Sequence, residues 1–181
     1  MIYVFLAEGF EEIEALTPVD CLRRAGKTVQ TVGIGGSVIK GAHGITVTAD
    51  LTEDAVVLDD ALEMIVLPGG MPGTRNLQKN ETVRSTIRFC EKQGIYIAAI
   101  CAAPSILGEM GLLNGRQATC YPGFEPELKG CNVKAVPVCQ DGRMITGRGP
   151  GAAMDFALKL VSTFLGDPAA ETLAGQMVYH A

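Results

Sequence analysis

The sequence predicts an α/β sandwich around a mainly parallel sheet. Short apolar runs rich in β-branched residues alternate with longer amphipathic segments, and a glycine follows each amphipathic segment as a helix stop. The predicted strands are Ile2–Ala7, Thr28–Ile34, Met64–Leu67 and Ile95–Ile100. The predicted helices are Glu11–Ala25, Thr82–Gln93, Pro104–Met110 and Ala152–Leu165, followed by Gly26, Gly94, Gly111 and Gly166. Most of these strands are almost wholly apolar, as expected of strands buried on both faces.

Two hairpins are predicted beside this alternation. Ile45–Thr48 alternates as one strand of a hairpin does, and Val136–Gln140 and Met144–Thr146 flank Asp141-Gly142, which is a two-residue hairpin turn signal. We expect these strands to edge or extend the sheet. The glycine-rich segment 147–151 lacks both the spacing of a dinucleotide-binding loop and the lysine-serine of a phosphate-binding loop, so it is interpreted as a tight connection.

Length and composition favour one globular domain spanning residues 1–181. The chain has 181 residues, of which 48% are hydrophobic and 19% charged, enough apolar material for a real core. Neither an internal repeat nor a Pro/Ser-rich linker marks a boundary.

Charge and the N-terminal segment exclude some partners. With 15 basic and 20 acidic residues the net charge is -5, and no basic run offers a footprint for phosphates, so we expect no nucleic acid partner. The first 14 residues lack a basic start and reach carboxylates after a short apolar run, which argues against a signal peptide or a membrane span. A cytoplasmic protein without a membrane partner is expected.

The cysteines predict reduced thiols and no metal. They number six, at positions 21, 90, 101, 120, 131 and 139. A chain that builds its own core needs no disulfide framework. No pair has CxxC spacing and the only histidines are His43 and His180, so no cluster matches a zinc site.

Cys101 is the strongest candidate for chemistry. It ends an apolar strand and precedes a helix opened by Pro104, with Ala99 and Ala103 as the small residues that a sharp strand-to-helix turn needs. A helix N-terminus favours a thiolate there. The alternative is one more small buried hydrophobe, which is how free cysteines usually behave, and we interpret Cys21 and Cys90 in that way. Cys120 is kept open as a disulfide partner of Cys101.

Glu14 is the second candidate. The acidic residues at positions 11 and 12 suit the first helical turn, where the helix dipole favours negative charge. Pro18 lies four residues after Glu14 and cannot donate the helical hydrogen bond to its carbonyl, so we expect a weakened or kinked helix beside a carboxylate. This suggests a shaped site, with plain packing as the alternative.

Backbone amides supply a third signal. Leu67-Pro68-Gly69-Gly70 ends a buried strand, and its glycines allow N–H groups to point inward at an anion. Most Gly/Pro clusters are simply turns.

Taken together, GFEEIEALTPVD with Glu14, LPGG at 67–70, AAICAAP at 98–104 and GRGPG at 147–151 resemble the ThiJ/PfpI family, in particular the branch of the Parkinson-linked protein DJ-one. The resemblance runs over about residues 1–175. It implies a flavodoxin-like three-layer sandwich and a homodimer. It also implies that Cys101 is the reactive cysteine, that Glu14 is a protonated partner, and that the amides of Gly69, Gly70 and Ala102 bind an anion.

The sequence departs from the family at several positions. Residue 102 is alanine where protease-like members have histidine, and His180 stands at the far C-terminus, so a Cys-His peptidase is disfavoured. Tyr121 occupies the position of a histidine in the DJ-one branch. Arg24 and His43 correspond to two arginines near the thiol, which implies an altered accessory anion site, although His43 also fits an exposed loop residue.

The resemblance implies a cofactor-free, metal-free enzyme acting on reactive dicarbonyls such as methylglyoxal, or on their adducts with proteins or thiols. In that reaction Cys101 attacks the aldehyde and Glu14 moves protons. The alternative is an oxidative-stress sensor or redox-controlled chaperone that uses the same cysteine as a sulfinate.

Overall fold

A computed structural model describes residues 1–179 of the chain. The strands in chain order are β1 Ile2–Leu6, β2 Val29–Gly33, β3 Val38–Lys40, β4 Thr46–Thr48, β5 Leu51–Thr52, β6 Met64–Leu67, β7 Tyr96–Ile100, β8 Gln117–Ala118, β9 Asn132–Val133, β10 Val138–Asp141 and β11 Met144–Gly147. The helices are α1 Glu12–Arg24, α2 Gly73–Lys79, α3 Glu81–Gln93, α4 Pro104–Glu109, α5 Ala153–Leu165 and α6 Asp167–Gln176. Single 3₁₀ turns lie at Glu53–Ala55, Glu125–Glu127 and Pro150–Ala152.

The central sheet is mainly parallel, as predicted. Seven strands lie in the order β10-β11-β7-β6-β1-β2-β5, and only β10 runs antiparallel to its neighbour. Both predicted hairpins form: β3 pairs with β4, and β10 with β11 around Gly142, whose φ of 60° suits the turn. Only β10–β11 extends the central sheet; β3–β4 is a separate ribbon, so the expectation that Ile45–Thr48 edges or extends the sheet is wrong. The carboxyl ends of β6 and β7 therefore lie side by side, which is where open α/β sheets place their sites.

Helices cover both faces of the sheet. Because side chains alternate along a strand, Ile2, Val4 and Leu6 of β1 pack into one core with α1, α5 and α6. Tyr3 and Phe5 pack on the other face, in a second core with α2, α3 and α4. This is the three-layer sandwich that the sequence predicts.

Several elements differ from the sequence prediction, including the two-residue strands β5, β8 and β9, which it does not contain. The sequence pattern predicts neither the polar helix α2 nor helix α6. It predicts Gly166 only as a helix stop, whereas Asp167-Pro168 starts a new helix, with proline in the first turn where it is tolerated. Helix α1 continues through Pro18 because its buried face, with Ala15 and Leu22 fully buried, packs against the sheet and α5. No helix within residues 1–179 is both long enough and apolar enough to traverse a bilayer.

Candidate active site

Cys101 lies on a strained elbow between β7 and α4. Its φ is +64°, a left-handed conformation that costs a non-glycine residue about 1–3 kcal/mol. Two backbone hydrogen bonds hold it there: the Cys101 N–H donates to the carbonyl of Gly147 at 2.9 Å, and the Cys101 carbonyl accepts the N–H of Tyr121 at 2.8 Å. Ala99 and Ala103 are fully buried around the turn, where a larger side chain has no room. The predicted nucleophile elbow is present.

Glu14 reaches the same place from the first turns of α1. Its side chain is fully buried, Oε2 accepts the N–H of Gly69 at 2.9 Å, and the carboxyl lies beside the Cys101 side chain. Gly69 is required beside this pair, because a Cβ there would lie 2.6 Å from Glu14 Oε2 and 2.7 Å from Cys101 Cβ. Glu14 and Cys101, the two main candidates from the sequence, therefore lie together beside Gly69, where no side chain would fit.

Glu14 and Cys101 are both buried, and the protonation state of each affects the pKa of the other. It raises the pKa of Glu14 to about 7, although hydrogen bonds from Cys101 and Gly69 oppose the rise. Burial also raises the pKa of the Cys101 thiol, and an ionised Glu14 raises it further by repulsion, whereas the N–H groups of Ala102 and Gly70 lower it. The expected preference for a thiolate at this helix N-terminus is therefore outweighed by burial and by the charge of Glu14. Because the charge of an ionised Glu14 opposes a thiolate, Cys101 loses its proton more easily while Glu14 is protonated.

Two of the three expected anion-binding amides face the sulfur. The N–H groups of Gly70 and Ala102 hydrogen-bond to Cys101. Gly70 has a φ of +88°, and a Cβ there would collide with the backbone nitrogen of Glu11. The Gly69 amide instead donates to Glu14 and positions its carboxyl. The prediction that this amide binds an anion is therefore wrong.

A largely apolar pocket of about 630 Å³ opens above the thiol. Its lining residues come from six chain segments: Glu11, Glu12, Ile13, Glu14, His43, Ile45, Gly70, Met71, Cys101, Ala102, Tyr121, Phe124 and Pro150. Sequence patterns do not single out Ile13, Ile45, Met71 or Phe124, because isolated apolar residues in loops and first turns carry no periodic signal. Pro150 belongs to the glycine-rich segment 147–151, interpreted from sequence only as a tight connection.

His43 and two carboxylates form a polar rim on this pocket. His43 Nδ1 lies 3.0 Å from Glu12 Oε2 and 3.3 Å from Glu11 Oε2, and these hydrogen-bonding and charge contacts raise the pKa of His43. Burial raises the pKa of Glu12, but hydrogen bonds from its own backbone, His43 and Ile45 outweigh burial and lower it. The donor atoms of the two carboxylates and the imidazole lie within 4.8 Å of one another, a potential ligand set that sequence spacing did not reveal.

The other accessory residues divide into two groups. Tyr121 lies at the pocket wall and His43 is both exposed and at the rim, so the structure brings both to the site. Arg24 does not reach the site, because its Nε pairs with Asp20 at 2.7 Å on the surface of the last turn of α1. The predicted accessory role of Arg24 is therefore wrong. His180 lies outside the described residues.

All six cysteines are free thiols, as the composition predicts. Cys120 is buried but not bonded to Cys101, which removes the disulfide left open above.

Known proteins resemble this chain in sequence and in fold. The sequence profile of the DJ-1/PfpI family matches residues 1–163. The chain is 38% identical to protein dj-1beta of Drosophila melanogaster, over 94% of this chain and 92% of that protein. It is 33% identical to a deglycase of Pyrococcus abyssi, over 83% of this chain and 90% of that protein. Oxidized DJ-1 of Toxoplasma gondii superposes with a TM-score of 0.94 at 33% identity, covering 99% and 98% of the two chains. On this sequence match and this fold, the chain belongs to the DJ-1/PfpI family.

Proposed function

We propose that this protein is a cysteine-dependent enzyme, needing neither metal nor organic cofactor, that converts reactive dicarbonyls or releases them from their adducts with proteins or thiols. The observation that carries the proposal is the buried Cys101–Glu14 pair beneath an apolar pocket, with two backbone amides at the sulfur. Similarity to a deglycase of Pyrococcus abyssi supports the substrate class.

In the first step the Cys101 thiol passes its proton to the Glu14 carboxylate as its sulfur attacks the aldehyde carbon of a dicarbonyl such as methylglyoxal. A carbon–sulfur bond forms, and the aldehyde oxygen becomes an oxyanion that the N–H groups of Gly70 and Ala102 stabilise. Glu14 delivers its proton to this oxygen and becomes a carboxylate, which leaves a hemithioacetal on Cys101.

In the second step Glu14 moves a proton between neighbouring carbons. The carboxylate removes the hydrogen from the carbon bonded to sulfur, giving an enediol, and returns a proton to the adjacent carbon as a proton shifts between the two oxygens. The product is a thioester of a 2-hydroxy acid. Water then cleaves the carbon–sulfur bond, so dicarbonyl and water become a 2-hydroxy acid without an external oxidant. A pKa of about 7 suits Glu14 to both halves of this exchange.

The test measures methylglyoxal consumption by purified protein with a chelator present and glutathione absent. We expect many equivalents of aldehyde per protein, conversion to lactate, and loss of turnover in both Cys101→Ser and Glu14→Gln. Loss of no more than one equivalent of aldehyde per protein would contradict the proposal, because it indicates modification of the thiol rather than catalysis.

We further propose a homodimer in the cytoplasm. Ile13 is 53% exposed, Ile45 55% and Met71 49%, and all three lie at the same pocket, so a second copy would bury apolar surface and narrow the entrance. Six free thiols suit a reducing compartment. Light scattering coupled to gel filtration checks the dimer: Ile13→Glu should yield monomer, and a wild-type protein that is already monomeric would contradict it.

A sensor of oxidative stress is the second candidate, favoured by one specific observation. The Gly70 and Ala102 amides and a protonated Glu14 surround the sulfur with donors that would stabilise a sulfinate formed by peroxide. Mass spectrometry after one equivalent of peroxide separates the two functions: a sensor accumulates oxidised Cys101 and shows no multiple turnover of aldehyde.

A further inference from the structure

A second cluster of reactive atoms lies at Cys21, about two helical turns after Glu14 in α1. The Sγ of Cys21 in α1 lies 3.8 Å from the Sδ of Met154 in α5 and 3.7 Å from the Sδ of Met177, the residue that follows α6. The methionines are 133 and 156 residues away from Cys21 in sequence, so only packing of the three helices brings these sulfurs together.

The two sulfur–sulfur distances from Cys21 suit a metal ion bound by three sulfurs. Metal–sulfur bonds of about 2.3 Å, as in zinc thiolates, place three sulfurs around one ion roughly 4.0 Å apart. The two distances measured from Cys21 fall within a few tenths of an ångström of that value. Small rotations about the flexible methionine side chains close the difference without moving a helix.

The chemistry of the donors selects the ion. A thiolate with two thioethers is a soft ligand set, which prefers Cu(I) to ions that favour oxygen or nitrogen. In residues 1–179 the grouped carboxylate and histidine donors lie at Glu11, Glu12 and His43, away from this cluster. Cys21 is fully buried, whereas Met154 and Met177 are half-buried, so an ion can approach over the thioethers.

We propose that Cys21, Met154 and Met177 form a Cu(I) site, with Ag(I) as its redox-inert substitute. Binding forms one metal–thiolate and two metal–thioether bonds, displaces the thiol proton of Cys21 to solvent, and leaves the oxidation state of the ion unchanged. The site uses none of the atoms of the Cys101 pocket.

The test is an anaerobic titration of the full-length, reduced protein with Cu(I) against a chromophoric Cu(I) chelator. We expect one equivalent to bind at this cluster, and to remain bound in Cys101→Ser. Met154→Leu and Met177→Leu keep the volume of the side chain and the packing of the helices, and each should raise the Kd at least tenfold. Met144→Leu, at a buried methionine in β11, is the matched control and should leave the Kd unchanged.

Two further readouts separate a metal site from packing of sulfur atoms. Copper X-ray absorption should show three sulfur neighbours, and the Kd should fall about tenfold for each pH unit between 6 and 8 because one proton leaves. The proposal is overturned if both methionine variants bind like the wild type, if nitrogen or oxygen dominates the copper shell, or if Cys101→Ser abolishes all binding.

Discussion

Cys101 and Cys90 are both buried thiols, yet they sit in different surroundings. Cys90, in the last turn of α3, is fully buried among apolar side chains, and burial raises its pKa to about 12. Cys101 is 9% exposed, opens to a pocket, and contacts a carboxyl and two backbone N–H groups. Burial disfavours the thiolate at both positions. Polar partners arranged by a strained turn, rather than burial, distinguish a reactive cysteine from one that only fills space.

The largest expected effect comes from exchanging each thiol in turn. Cys101→Ser should lower the rate of dicarbonyl turnover by about 1,000-fold or more, because the nucleophile is lost. Cys90→Ala should leave turnover within about twofold and lower the free energy of unfolding by about 1 kcal/mol, the usual scale for deleting one buried heavy atom. Steady-state kinetics measure turnover, and denaturant unfolding measures stability, for both variants. A large loss of turnover in Cys90→Ala would contradict the distinction between a catalytic Cys101 and a packing Cys90.

A smaller loss of turnover is expected from crowding the Cys101 region. In Gly69→Ala the new Cβ meets Glu14 Oε2 at 2.6 Å, so we expect a drop of roughly 100-fold in kcat and a loss of about 1–3 kcal/mol in stability, as in overpacked cores. Gly175→Ala in α6 is the control, since nothing lies within 4 Å of its added Cβ, and it should preserve activity while stabilising the helix. Full activity in Gly69→Ala would show that the pair tolerates displacement.

The buried carboxyl of Glu14 should make the free energy of unfolding depend on pH. The unfolded Glu14 loses its proton near 4.5, whereas the folded one retains it to about 7, so the folded state binds more protons and stability falls as pH rises between these values. The pKa difference between the folded and unfolded states, at about 1.4 kcal/mol per pKa unit, changes the free energy of unfolding by about 3 kcal/mol over this range. Glu14→Gln should remove this pH dependence. Unfolding in urea from pH 4.5 to 7.5 measures it, and parallel curves for the two proteins would contradict a raised pKa.

The smallest expected effects concern the accessory positions. His43→Ala should change KM a few-fold, because it removes a group at the pocket rim and frees the Glu12 carboxylate. Arg24→Ala should leave KM unchanged, because its guanidinium pairs with Asp20 away from the pocket. Initial rates over a range of methylglyoxal concentrations compare them. A larger effect from Arg24 than from His43 would mean that Arg24 acts on the site through a route absent from the single chain.

Much of the fold was predictable because local patterns carry it. The buried strands β1, β6 and β7 read directly as apolar runs, and α3 and α5 as amphipathic segments ended by glycine. Helices α2 and α6 escaped prediction, since one is short and polar and the other begins directly after a helix stop. Their formation depends on packing against the rest of the protein rather than on a strong local signal.

By itself, the sequence determined the sandwich, the elbow at Cys101 and the candidacy of Glu14, because strand runs, small residues around a turn and a proline in a helix are local properties of the chain. Only the tertiary structure decided which partner each group has. In the folded protein the Gly69 amide hydrogen-bonds to Glu14, and Arg24 pairs with Asp20 away from the site. His43 lies at the pocket rim, and the sulfur of Cys21 lies beside those of two methionines. The physical reason is that hydrogen bonds, desolvation and metal–ligand distances act over a few ångströms in space, between residues whose separation along the chain carries no record of them.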